Sequence, residues 1–194
     1  MSDIIAIIPA RSGSKSVIDK NIKNLHGYPV IAYSIAAAKI SQKINRVIVS
    51  TDSNHYASIA EKFGAEVPFL RPKKYSGDKS VDRDFFLHAI DWFKNNENKT
   101  PKIWVHLRPT TPLRLPKIID NAIDNFLKNP KATSLRSAHI APESPMKWFI
   151  KEKKYFKSFV NNEISNLPKE IFRETYIPNG YVDILNTSQL IKNR

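Results

Sequence analysis

"DIIAIIPARSGSKSVIDKN", residues 3–21, joins a run of branched apolar residues to a polar, cationic loop that holds a single glycine. A nearly continuous apolar run suits a strand covered on both faces, whereas a half-exposed strand would alternate. "RVIVST" (46–51) and "KIWVHL" (102–107) have the same character, and "YIPNGYVDIL" (176–185) reads as a further strand. Between them the apolar residues switch to helical spacing. Ile31, Ile35 and Ala38 share a face, as do Phe86, Ile90 and Phe93; Ile118, Ile119, Ala122, Ile123 and Phe126 mark a third helix, which Pro116 opens near its first turn. Strands alternating with helices predict an α/β domain with a parallel sheet.

In such sheets ligands bind beyond the carboxyl ends of the strands, so the loops after Ile8, Thr51 and Leu107 are the candidate binding loops. The first supplies Arg11, Ser12, Gly13, Ser14, Lys15, Lys20 and Asn21 directly after a buried strand. An arginine can fork two oxygens of one phosphate, and lysines act as mobile point charges. A phosphate-binding loop is the reading that follows; a basic surface turn is the alternative. The spacing is neither GxxxxGK[ST] nor GxGxxG, which argues against a Walker-type nucleotidase and an ordinary dinucleotide fold.

The whole chain sets the bounds. Its 194 residues fit a single domain, 1–194, and the 41% hydrophobic and 25% charged residues are near the globular average. No apolar stretch approaches a bilayer span and no secretory leader is legible at the N-terminus, so a cytoplasmic protein without membrane association is expected. The absence of cysteine excludes disulfides, thiol catalysis and cysteine-ligated zinc. A net charge of +13, from 31 basic and 18 acidic residues, points to anionic partners. The lysines are scattered rather than gathered into a stripe, which favours an anionic small molecule over nucleic acid. The exception is "KWFIKEKKYFK" (147–157), where aromatics interleave with charge; an exposed hairpin or an oligomer contact is the favoured reading there, a nucleic-acid face the alternative. The five histidines show no metal spacing, and Asp52, followed by Ser and Asn, is expected to cap the next helix, a carboxylate that orients ribose or metal being the alternative.

"AIIPARSGSKSVIDKNIKNLHGYPVIAYSI", together with "VIVSTDS", "GAEVPFLRP", "LRPTTPLR", "SPMKW" and "IPNGYVDI" in order, resembles the acylneuraminate cytidylyltransferases, the CMP-sialic acid synthetase family, kin to the CMP-Kdo synthetases. The resemblance covers nearly the whole chain. It implies a Rossmann-like, GT-A-like nucleotidyltransferase fold, a three-layer sandwich with a mostly parallel sheet and a small dimerisation insertion, placed at 148–176. It implies transfer of CMP from CTP to the anomeric hydroxyl of a nonulosonic sugar, with release of pyrophosphate, Mg²⁺ as cofactor, and a homodimer as the working form.

By the same resemblance, Ala10, Arg11, Ser12, Gly13, Ser14, Lys15 and Asn21 would hold the nucleotide with Arg71, while Arg11, Lys15 and Lys20 would supply the catalytic charge. Arg108, Thr110, Lys147 and Asn179 would face the sugar. From the residues alone, Arg71 could instead pair with Asp78 or Glu66, Arg114 could merely cap or pair, and Asn179-Gly180 could be only a turn. Three departures from the family pattern stand out. Relatives usually carry glycine where this chain has Ser12 and Ser16, and many carry glutamine where it has Arg108, which could fork a sugar carboxylate. The family's metal-binding aspartates lie downstream of the "NG" strand, and the sequence stops at Arg194 before any such motif. The metal ligands therefore stay unknown, and the expectations are a truncated sequence lacking the C-terminal part of the family domain, a metal held differently, or impaired catalysis. A non-catalytic nucleotide or sugar binder and a cytidylyltransferase for Kdo or another acidic sugar are the alternatives.

Overall fold

The structure is a computed structural model that describes residues 3–78 and 80–192. In chain order it contains β1 (Ile4–Pro9), a small hairpin of β2 (Asn24–Leu25) and β3 (Tyr28–Pro29), α1 (Val30–Ile40), β4 (Arg46–Ser50), α2 (Asn54–Lys62), α3 (Asp82–Asn96), β5 (Ile103–His106) and α4 (Pro116–Leu127). Then follow β6 (Ser134–Ile140), β7 (Phe149–Glu152), β8 (Tyr155–Ser158), α5 (Asn162–Ser165), β9 (Tyr176–Asn186) and α6 (Thr187–Ile191).

The main sheet has the order β4-β1-β5-β9-β6. β1 is flanked by parallel partners on both sides, Ile7 opposite Ile48 of β4 and His106 of β5. Its apolar run is buried on both faces, as the pattern requires. Ile4, Ala6 and Ile8 enter one core with α1, α2 and α4, where Ile31, Ile35, Ile119 and Ile123 are buried. Ile5 and Ile7 enter a second core with Phe85, Phe86, Phe93 and Trp104 on the α3 side. Helices on both faces of the sheet make the three layers expected from sequence. Pro116 is the first residue of α4, where its missing N–H removes no helical bond. Ile118, counted on the apolar face, is exposed there. The strand expected at 176–185 pairs antiparallel with β5, Asp183 opposite His106, so the sheet is mixed.

The chain divides into two compact units, Ser137–Asn179 and the remainder. The smaller unit contains the β7–β8 hairpin, with Phe149 opposite Ser158, and the short helix α5. Trp148, Phe149, Tyr155 and Phe156 are exposed on it. No helix among the described residues is long and apolar enough to cross a membrane.

Candidate functional site

The loops that leave the carboxyl ends of β1 and β5, with the segment that runs from Arg71 into α3, enclose a cleft of about 200 Å³ in the larger unit, lined by Arg11, Lys20, Asn21, Arg71, Tyr75, Asp82, Phe85, Arg108 and Thr110 among others. The site falls where the parallel strands end, because there the backbone N–H groups and side chains of successive loops converge.

The β1 loop is held from below. Ala10 is fully buried and its N–H donates to the Ser50 carbonyl at 2.9 Å. Ser12 donates to Asp52 twice, from its N–H (2.7 Å) and from its hydroxyl (3.1 Å). Asp52 is therefore not the cap of α2; Ser53 takes that place, accepting from the Tyr56 N–H at 3.4 Å. Neither Ser12 nor Ser16 has a positive φ: the left-handed positions of the loop are Gly13 (φ 67°) and Asp19 (φ 52°). A serine at position 12 thus costs no backbone strain and gains a carboxylate partner. Ser14 and Asn21 are buried, and Asn21 Nδ2 donates to the Arg11 carbonyl at 3.1 Å, which closes the loop on itself.

Arg11 lies at the cleft, its Nη1 donating to the Ser76 carbonyl and to Asp78 Oδ1, both at 3.1 Å. Lys15 reaches the other oxygen of Asp78 at 2.5 Å. The two cations hold the Asp78 carboxyl below the usual carboxylate range, Lys15 contributing most. Sequence reasoning missed that role for Asp78. The only signal was its acidic side chain in an otherwise cationic stretch.

Arg71 pairs with neither Asp78 nor Glu66. A parallel bridge between Thr51 and Leu70 extends the β4 edge, and Arg71 N–H donates to the Thr51 carbonyl at 2.7 Å. Its side chain is buried, Nε bonded to Ser50 Oγ (3.0 Å) and Nη2 to the Ser50 carbonyl (2.5 Å), with the guanidinium 5.1 Å from the Phe85 ring centroid. Burial pushes its pKa down to about 10, so it remains charged at neutral pH. Glu66 is taken by Arg46.

Arg108 is the second arginine at the cleft, and two acidic groups occupy its fork. Nη1 donates to Asp183 Oδ2 at 2.6 Å and Nη2 to Asp82 Oδ2 at 2.8 Å. Burial alone would lower its pKa, yet Asp183 and then Asp82 hold it above the ordinary value. Asp82 opens α3, where a carboxylate favours the helix dipole whatever else it does. His106, beside them and buried, has Nδ1 3.9 Å from both Asp82 and Asp183; burial, then Arg108, pushes its pKa down to about 3, so it is neutral. Arg114 is the clamp of this region. It donates to the carbonyls of Arg108 (2.7 Å), Thr111, Gly180 (3.1 Å) and Tyr181 (2.5 Å) and to Ser34 Oγ (2.8 Å). The loop after β5 is thereby tied to β9. Gly180 adopts φ 67°, and a Cβ there would sit 3.7 Å from Arg108 Cδ.

Lys147 and Asn179 lie in the smaller unit. The Lys147 N–H closes a turn on the Ser144 carbonyl at 3.0 Å, and Asn179 Oδ1 accepts from Ser137 Oγ at 2.7 Å. As for a divalent metal, no cluster of three or more His, Cys, Asp or Glu side chains occurs among the described residues. The two carboxylates at Arg108 already neutralise a guanidinium, so a cation between them would meet Arg108 at contact distance. The described residues bring together no set of side-chain donors that suits a divalent metal.

A cytidylyltransferase family model matches residues 5–178. The chain belongs to the cytidylyltransferase family. It is 30% identical over 206 residues to the CMP-N,N'-diacetyllegionaminic acid synthase of Legionella pneumophila, across 98% of this chain and 81% of that enzyme. It is 43% identical over 111 residues to the N-acylneuraminate cytidylyltransferase of Escherichia coli, a match covering 57% of this chain and a quarter, 25%, of that protein. A CMP:2-keto-3-deoxy-manno-octonic acid synthetase complexed with CTP shares the fold, with a TM-score of 0.73 at 18% identity over 99% of this chain and 77% of that one. This cytidylyltransferase-family chain therefore has the α/β nucleotidyltransferase architecture that the family resemblance implied.

Proposed function

We propose that the protein transfers CMP from CTP to the anomeric hydroxyl of a nonulosonic sugar. The hydroxyl oxygen forms a bond to the α-phosphorus, the bond from that phosphorus to the bridging oxygen breaks, pyrophosphate leaves, and the hydroxyl proton passes to solvent. One observation carries the reading. Arg11, Lys20 and Asn21 of the β1 loop and Arg71 of the β4 edge line one cleft at the carboxyl ends of parallel strands. In that reading Arg11, Lys15 and Lys20 face the triphosphate, and Ala10, Ser12, Gly13 and Ser14 shape the loop around it. Asn21 and Arg71 stand at the nucleoside, and Arg108, Thr110, Lys147 and Asn179 on the sugar side.

Catalysis of this kind is positioning plus charge neutralisation, and the chain's cations supply both. Arg11 and Lys15 are held by Asp78, a partner that phosphate oxygens can replace. Mg²⁺ enters the proposal as the counter-ion that CTP carries, with no side chain assigned to it. A homodimer formed through 148–176 is part of the same reading, supported by the exposed aromatic residues of the smaller unit. So is a cytoplasmic location, where CTP is made.

The experiment is pyrophosphate release with CTP, Mg²⁺ and a panel of acids: N-acetylneuraminic acid, legionaminic acid, pseudaminic acid and Kdo. Release that requires one of the acids is the expected result. CTP binding without release for any acid would instead support a nucleotide-binding homologue that does not catalyse.

A further inference from the structure

The loop after β1 is fastened at its start by Asp52, and near its far end it has a second fastening. Tyr56, in the first turn of α2, donates its hydroxyl to Asp19 Oδ1 at 2.8 Å. Asp19 is exposed whereas Tyr56 is buried, at 2%, so the contact runs from a core ring out to a surface loop. The ring belongs to the core that Ile31, Ile35 and Val49 form, and the Tyr56 N–H is tied to the Ser53 cap. A phenylalanine would fill the same space; the hydroxyl is there for a partner. Burial, then Asp19, pushes the phenol pKa up, so Tyr56 is a hydrogen-bond donor throughout the neutral range.

Asp19 stands in the left-handed region, at φ 52°, which few residues other than glycine, asparagine and aspartate enter. That turn sets the path of the next residues. The Asp19 carbonyl accepts from the Ile22 N–H at 2.9 Å, and the Asn21 carbonyl accepts from the Ile31 N–H at 2.8 Å, at the start of α1. Lys20 lies between these two anchored carbonyls and lines the cleft. Its four-carbon stem is flexible, so a fixed backbone at its root reduces the freedom that Lys20 loses when it meets an anion. The fixing comes from far along the chain, since Tyr56 is 37 residues from Asp19. Asp52 and Tyr56 both belong to the turn from β4 into α2, so one corner of the fold holds both ends of the loop.

We infer that Tyr56 and Asp19 are positioning residues for Lys20: the hydroxyl holds the Asp19 carboxylate, and through it the turn that presents Lys20 to the cleft. Neither residue touches the reacting atoms. The choice of a triphosphate as the ligand of Lys20 rests on the transferase reading; the fastening of the turn does not.

The test combines amide hydrogen exchange of the full chain with calorimetric titration by CTP and Mg²⁺, and by tripolyphosphate as a probe without a nucleoside. Tyr56→Phe keeps the ring in the core and removes only the hydroxyl. Asp19→Asn keeps an acceptor on a side chain that enters the left-handed region, whereas Asp19→Gly keeps the turn accessible and loses the acceptor. In Y56F the Ile22 amide is expected to exchange about tenfold faster, with the Ala57 and Ala60 amides of α2 unchanged. CTP affinity should fall roughly five- to tenfold in Y56F and D19G, and D19N should stay within about threefold of the wild type. Lys20→Gln should weaken CTP by itself, and the Y56F/K20Q double variant should lose no more than K20Q alone, because Tyr56 acts through Lys20. Unchanged Ile22 exchange in Y56F, faster exchange throughout α2, or losses that simply add in the double variant overturn the inference. The same non-additive pattern with tripolyphosphate, in a protein that does not bind CTP, upholds the positioning pair and refutes the transferase reading.

Discussion

Ser12 donates both its backbone N–H and its hydroxyl to the carboxylate of Asp52, at 2.7 and 3.1 Å. The pair spans 40 residues of sequence and fixes the start of the loop after β1 to the end of the neighbouring strand. Charged hydrogen bonds of this kind are worth about 1.5–3 kcal/mol each when broken on one side. Asp52→Ala is expected to weaken CTP binding by about tenfold or more, measured by calorimetry. Ser12→Gly keeps the N–H bond and should weaken it only a few-fold.

Asp78 pairs with both Arg11 and Lys15, the cations proposed to face the triphosphate. Asp78→Asn is expected to raise CTP affinity a few-fold at low salt, with the gain shrinking as salt screens the cations. The folded-state pKa of Asp78 is depressed, so its contacts with Lys15 and Arg11 are present above the ordinary carboxylate range and are lost as pH falls through the lower, folded value. Carbon-detected NMR titration of this carboxyl should show that displacement, and CTP should abolish its dependence on Lys15.

His106 is buried and neutral, with a pKa pushed down to about 3. Between that value and the ordinary 6.5 the unfolded chain binds a proton at this position that the folded chain does not. Stability is therefore full above about pH 6.5 and declines as pH falls toward 3. Urea midpoints across that range should fall for the wild type, and His106→Gln should flatten the slope.

Arg114 is buried and satisfies four carbonyl oxygens and a serine hydroxyl at once. Arg114→Ala strands those acceptors and is expected to cost about 3 kcal/mol or more in urea unfolding. Because the loop carrying Arg108 loses its tie to β9, acceptor affinity should fall more than CTP affinity.

Arg71→Lys separates charge from geometry. A lysine keeps the positive charge but cannot donate to both Ser50 Oγ and the Ser50 carbonyl through a planar fork. A loss of about 2 kcal/mol in stability together with weaker CTP binding is expected; equal stability with unchanged CTP affinity would remove Arg71 from the site.

The strand-to-loop switch at Ile8 and the helical faces around Ile35, Phe86 and Ile123 were legible in the chain itself, since periodicity is a local property that burial on a sheet or helix face imposes. The candidate loops followed, because parallel strands put their carboxyl ends on one edge. Which carboxylate meets which cation was not local. Arg108 finds Asp82 and Asp183 from 26 and 75 residues away, and Asp52 turned from the expected helix cap to a clamp on Ser12. The antiparallel docking of β9 beside β5 places Asp183 opposite His106, and only that register turned an acidic residue in mid-strand into a partner for two arginines. Such pairings depend on strand order and on distances of a few ångströms, which the order of residues along the chain does not encode one neighbour at a time.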